Sequence, residues 1–262
     1  MSESLVRYDA EGGIATLELC DPPANAYTHA MMRDLDEAIL RARFDPAVHV
    51  IVLRGAGERF FCAGANIRML AEADPGFKYY FCLHANETLN RLENTPKLVI
   101  AALNGHAVGG GLEIALAADI RLARKDGGKI GLPEVHLGVL PGTGGTQRLA
   151  RVLGRARALE LMITGRNLSF EEAAGIGLVH ESIEGPDFMA RVLDYARQFL
   201  PPTRASRAVG HIKRAVVTGA EIPFESALAL ERELQQRLFE SEDAREGLDA
   251  HLAKRPAQFR GR

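Results

Sequence analysis

Twice in the middle of the chain an apolar strand is followed by a glycine-containing loop and then by a helical stretch, and few architectures accommodate that order. The copies read VIVLRGAGERFFCAGANIRML and LVIAALNGHAVGGGLEIAL. Short apolar runs bounded by turn residues suit strands covered on both faces, and a helix after each strand points to β/α units. The pattern extends outward. Ile14 to Leu19 alternates like a strand, and Val48 to Leu53 is a compact, mostly β-branched run. Between them Met31, Leu35, Ala38, Ile39 and Ala42 fall on one helical face, with charged residues opposite. Asp119 to Arg124 reads as another strand, and Ile130 to Gly131 as the start of a short one. These signals predict an α/β core over residues 1–200.

Beyond that core the strand signals stop. Ser169 with Glu172 three residues later is a capping-box pair opening a short helix that ends near Gly175. A helix from Asp187 to Leu200 is halted by Pro201 and Pro202, which cannot continue its hydrogen-bond ladder. Thr203 to Val217, Phe224 to Ser241 and Glu242 to Lys254 are all helical in composition, so residues 201–262 are expected to form a helical appendage. At 262 residues the chain is long enough for both parts.

Composition removes several classes of function. Lys and Arg number 32 against 34 Asp and Glu, a net charge of −2 that gives no reason to expect a polyanionic partner. No stretch reaches the roughly 20 uninterrupted apolar residues of a membrane span. The opening MSESLVRYDAEGG lacks the apolar run of a secretory signal and the Arg-rich character of a transit peptide, so a cytoplasmic location is expected. Cys20, Cys62 and Cys82 lie far apart in no C-x-x-C pair, and His84, His106 and His136 have no partner at metal-ligand spacing. Free thiols and no bound metal are the expectation.

Three stretches could carry chemistry. In NGHAVGGGLEIALAAD, Gly109 to Gly111 open an apolar helix with Glu113 in its first turn. Glycines let backbone N–H groups approach a ligand closely, and a helix N-terminus adds positive potential, which together favour a developing anion. In FFCAGANIRML, the small residues Ala63, Gly64 and Ala65 turn into another helix. Each loop alone is explained equally well by tight packing, but as a pair they offer two N–H donors and hence an oxyanion hole. In GLPEVHLGVLPGTGGTQRL, Glu134 follows Pro133 in apolar surroundings that should raise its pKa, as for Glu113. The PGTGG run lacks Gly-Lys-Ser/Thr and the G-x-G-x-x-G spacing, so it is neither a Walker loop nor a dinucleotide site. No G-x-S-x-G elbow marks a serine hydrolase.

Taken in order, these stretches resemble the enoyl-CoA hydratase/isomerase (crotonase) family, and the similarity runs through the helical tail to KRPAQF. The resemblance implies a spiral of β/β/α turns with a C-terminal helical trimerisation region, assembled as a homotrimer or a dimer of trimers. It implies an acyl-CoA thioester as substrate, with coenzyme A part of that substrate and no further cofactor, and a place in fatty acid or other lipid metabolism. Carried over residue by residue, the oxyanion donors are the N–H groups of Ala65 and Gly110. Glu113 becomes the group that activates water, and Glu134 the group that exchanges a proton at C2. Ala63, Gly64, Asn66, Ile67, Arg68, Tyr79, Tyr80, Pro133, Gly142 and Lys254 become contacts to substrate or CoA. Asn66 departs from the Asp of many relatives, which touches a local hydrogen bond and neither donor. Possession of both glutamates favours hydration of a 2-enoyl-CoA to a 3-hydroxyacyl-CoA. Isomerisation of the double bond is the alternative. RNA binding, as in some family members, would have to rest on the basic groups Arg148, Arg151, Arg155 and Arg157, and Arg204, Arg207, Lys213 and Arg214. No stacking aromatics accompany them, and nucleic acid is not an expected partner.

Overall fold

The structure is a computed structural model and describes residues 4–262. In chain order it begins with β1 (Val6–Glu11), β2 (Ile14–Leu19), α1 (His29–Phe44), β3 (Val50–Gly55), β4 (Phe60–Cys62), α2 (Ile67–Glu72) and α3 (Pro75–Glu93). There follow β5 (Leu98–Leu103), β6 (His106–Val108), α4 (Gly110–Leu116), β7 (Ile120–Arg124), β8 (Lys129–Gly131) and a 3-10 turn over Glu134–Leu137. The remainder comprises α5 (Gly145–Leu153), α6 (Arg155–Thr164), β9 (Leu168–Ser169), α7 (Phe170–Gly175), β10 (Glu181–Ile183), α8 (Phe188–Arg197), α9 (Ser206–Gly219), α10 (Phe224–Phe239) and α11 (Glu242–Leu252).

The strands form a six-stranded sheet, β1-β2-β3-β5-β7-β10, and a four-stranded sheet, β4-β6-β8-β9. Within the first, only β1 and β2 pair antiparallel, and within the second, only β8 and β9. Three times in succession the chain runs through the large sheet, crosses to the small one and continues into a helix: β3-β4-α2, β5-β6-α4 and β7-β8 with the 3-10 turn. This is the expected spiral of β/β/α turns. The crossing at β3 is held by Asn104, a buried amide that accepts from Gly55 N–H at 2.9 Å and donates to Gly55 O and Gly57 O at 3.0 and 2.7 Å. Turn groups that would otherwise be buried without partners are thereby satisfied.

The unbroken apolar character of β3 and β5 has a packing cause. Ile51, Leu53, Val99 and Ala101 face a core shared with α1, α3 and α4, whereas Val50, Val52, Ile100 and Ala102 face a second core with Phe188, Val192 and Ala196 of α8. A parallel sheet covered on both faces has no polar side. The Ser169 capping box is complete: Glu172 N–H donates to Ser169 Oγ at 3.1 Å, and Ser169 N–H to the Glu172 carboxylate at 2.7 Å. The helix before the proline pair is shorter than expected, ending at Arg197, and the two glycine loops each contain a three-residue strand, β4 or β6, that the sequence reading left as loop.

The first tail helix is fastened to the core by a buried ion pair. Lys213 on α9 lies 2.8 Å from Asp119, and its ammonium also donates to Lys97 O at 3.0 Å. Farther out, α10 and α11 bury little and expose Phe224, Phe239, Leu248 and Leu252. No helix among the described residues is long and apolar enough to cross a membrane.

Candidate active site

The two glycine loops meet because β4 and β6 are neighbours in the small sheet, so the helices that follow them, α2 and α4, start side by side. Contact at the junction is closer than any side chain would permit. A Cβ at Gly64, whose φ is +94°, would sit 3.1 Å from Gly110 N and 3.2 Å from Val108 O. One at Gly110 would lie 2.4 Å from the Tyr27 ring. The glycines therefore serve backbone-to-backbone packing. They also leave two amides free: among the described residues, neither Ala65 N–H nor Gly110 N–H donates to a protein acceptor. Ala65 is held by a parallel bridge, in which Tyr27 N–H donates to Gly64 O and Asn66 N–H to Tyr27 O, both at 2.9 Å. That bridge uses the groups on either side of Ala65 and spares its own N–H.

Both glutamates are beside this junction. Glu134, in the 3-10 turn, lies over Gly109, where a Cβ would come within 3.1 Å of Glu134 Oε1. Its Oε2 is buried and has no hydrogen-bond partner. Burial pushes its pKa up to about 7, its own backbone N–H opposes this, and the nearby Glu113 raises it further. Glu113, in the first turn of α4, is 2% exposed. Its Oε1 accepts from Thr143 N–H and Gly145 N–H, each at 2.7 Å. Burial raises its pKa too, while those two amides pull it down. Lys78 of α3 acts on both carboxyl groups and lowers both.

Other residues singled out in the sequence are placed as follows. Ala63 N–H is tied to Ala24 O at 3.0 Å, and Asn66 caps α2 by accepting from Met69 N–H at 3.1 Å, so Asn in place of Asp still supplies the local cap. Ile67 and Arg68 are exposed in the first turn of α2. Pro133 directly precedes the 3-10 turn, and Gly142 O receives Asn86 Nδ2 at 3.5 Å. Tyr79 and Tyr80 are 65% and 68% exposed and pack edge to face on each other. Of the α3 aromatics only Phe81 is buried, stacked on Tyr27, and the exposed Phe77 stacks on Phe81 in turn. Lys254, after α11, is exposed. Tyr27 and Thr143 are central to the geometry although the sequence reading passed over both; PGTGG was the only visible signal for Thr143.

Two negative findings bound the site. Among the described residues no three His, Cys, Asp or Glu side chains gather as a metal site. Three of the basic groups weighed for RNA are engaged by carboxylates: Arg148 is buried against Glu93, Arg151 pairs with Glu221 and Lys213 with Asp119. A cavity of about 1310 Å³ adjoins the Gly142–Gly144 turn between α5 and α9, but neither glutamate lines it.

Known proteins are similar in sequence and fold over nearly the whole chain. The family model described as enoyl-CoA hydratase/isomerase matches residues 9–262. A probable enoyl-CoA hydratase of Bacillus subtilis is 38% identical, with 95% of each chain covered. A short-chain-enoyl-CoA hydratase of Clostridium acetobutylicum is 37% identical, with 94% of each covered. The solved structure of an enoyl-CoA hydratase from Geobacillus kaustophilus HTA426 superposes with a TM-score of 0.96 at 45% identity, covering 100% of this chain and 98% of that one.

Proposed function

The chain belongs to the enoyl-CoA hydratase/isomerase family, and within it we propose that this member adds water across the C2–C3 double bond of a 2-enoyl-CoA. One observation carries this reading: two carboxyl groups flank a pair of unengaged backbone N–H groups, one held by two amide donors and the other with a buried, unpartnered oxygen.

The thioester oxygen lies between Ala65 N–H and Gly110 N–H. Glu113, a carboxylate kept charged by two amide donors, takes a proton from water as the water oxygen bonds to C3. The π electrons pass to C2 and the thioester oxygen, and the enolate is held more tightly than the starting carbonyl, because the donors are fixed where charge develops. Glu134, protonated below about pH 7, delivers its proton to C2. A proton returned through solvent from Glu113 to Glu134 resets the pair. No group beyond the substrate's own CoA enters these steps.

Isomerisation is the second reading, since Glu134 over the oxyanion pair could move a proton between C2 and C4 alone. The paired amides on Glu113 favour hydration, because isomerisation has no use for a second, charged carboxylate. Assembly as a trimer or dimer of trimers through residues 201–262 belongs to the same proposal, and is supported by the apolar side chains exposed on α10 and α11. The direct test is incubation with straight, branched and cyclic 2-enoyl-CoAs, following loss of the conjugated thioester absorbance, beside 3-enoyl-CoAs. Water addition to at least one 2-enoyl-CoA is expected; double-bond migration without hydration would replace the reading with isomerisation.

A further inference from the structure

Tyr27 reaches both amide loops and the turn that holds Glu113 without belonging to any of the loops that resemble the family's motifs. Its backbone makes the bridge on either side of Ala65, and its ring fills the space in front of Gly110. Its hydroxyl is 2.9 Å from Thr143 Oγ1, and both side chains are 2% exposed. Thr143 in turn donates its backbone N–H to Glu113 Oε1, and its side chain also pulls the Glu113 pKa down. Tyr27 is itself held far from ionising by burial and by the charge of Glu113, so at neutral pH it is a neutral phenol. Either hydroxyl of the pair can donate to the other, and the bond anchors the Thr143 side chain at the start of the turn that holds Glu113.

We propose that the buried Tyr27–Thr143 hydroxyl pair positions Glu113 by fixing the turn whose backbone N–H groups hold its carboxylate. Neither residue touches the reacting atoms. The inference rests on the hydration reading and adds to it the means by which one of two neighbouring carboxyl groups is held in place. Two amides hold Glu113 Oε1, and the hydroxyl pair keeps the turn that carries them in place. Tyr27→Phe keeps the ring against Gly110 and the backbone bridge at Ala65, so it removes the hydroxyl and leaves the proposed oxyanion donors in place.

The test compares wild type with Tyr27→Phe, Thr143→Val and Thr143→Ser, reading the pH dependence of kcat/KM for a 2-enoyl-CoA that the wild type hydrates. With the turn loosened, its two amides hold the carboxylate less well, its pKa rises, and the acidic limb moves to higher pH. Thr143→Val should move the limb up by about half to one pH unit, the equivalent of one hydrogen bond of ordinary net strength, and Tyr27→Phe by less. Thr143→Ser should restore the wild-type limb, and KM should change little in all three. An infrared titration of the carboxyl band that Glu113→Gln abolishes should show the same order without substrate. Unchanged limbs in Tyr27→Phe and Thr143→Val, in an enzyme that does hydrate, overturn the role of the hydroxyl pair alone. A wild type that hydrates nothing overturns the hydration reading, and this inference with it.

Discussion

Glu113 and Glu134 are the same chemical group in regions built on opposite terms. Around Glu113 the chain turns back over the start of α4, and the Thr143–Gly145 turn points two N–H groups at a carboxylate that is almost wholly buried. Around Glu134 a 3-10 turn leaves one oxygen buried and unpartnered, and burial is the chief cause of a pKa of about 7. Burial without donors favours the neutral acid; burial with donors lets the anion persist. The difference lies in where backbone amides point, and in the proposed reaction it divides the labour: Glu113 takes a proton while Glu134 holds one to give.

Replacing either carboxyl by its amide breaks that division. Glu113→Gln and Glu134→Gln should each lower kcat for hydration by about 10²- to 10⁴-fold, the usual worth of general acid or base catalysis, while CoA binding is retained. Steady-state kinetics with calorimetric titration of CoA measures both. Near-normal turnover in either variant removes that residue from the mechanism.

A smaller loss should follow from separating the loops while leaving both carboxyl groups intact. Gly64→Ala places a Cβ at a φ of +94° and 3.1 Å from Gly110 N, so the two turns must move apart. A fall in kcat of up to about 10²-fold is expected, as for reacting groups displaced by about an ångström. Unaltered kcat would mean that the turns need not stay in register.

The smallest effect concerns stability. Glu134 ionises near 4.5 when unperturbed and near 7 in the folded chain, so the folded state binds the proton more tightly. Folding stability is therefore lost as pH rises from about 4.5 through 7, and Glu134→Gln escapes the loss. The variant should be more stable than wild type by about 1–2 kcal/mol above pH 7, a figure discounted because the group is partly exposed. Below pH 4 the two should unfold alike. Thermal denaturation across this range distinguishes a carboxyl held for function from one held for structure.

Much of this was legible in the residues. The apolar runs of β3 and β5, the helical spacing in α1, the Ser169 cap and the two glycine loops all report local requirements, and local requirements leave local patterns. Strands β4 and β6 did not, because three residues beside glycine are too few to show a period of two. Tyr27 and Thr143 were missed for another reason. Their roles arise only when α4 starts against the segment before α1, a contact made by the fold and not by spacing along the chain. Tyr79 and Tyr80 were prominent in the sequence, yet it is Phe81 on the same helix that is buried against Tyr27.

The division of labour is tested most directly by exchange of the C2 hydrogen of a saturated acyl-CoA in D₂O, followed by NMR. This reaction needs the oxyanion pair and the group that handles the C2 proton, but no attack of water on C3. Wild type and Glu113→Gln should both exchange, and Glu134→Gln should not. Exchange that survives in Glu134→Gln, or that Glu113→Gln abolishes to the same degree, would contradict the assignment of the two carboxyl groups.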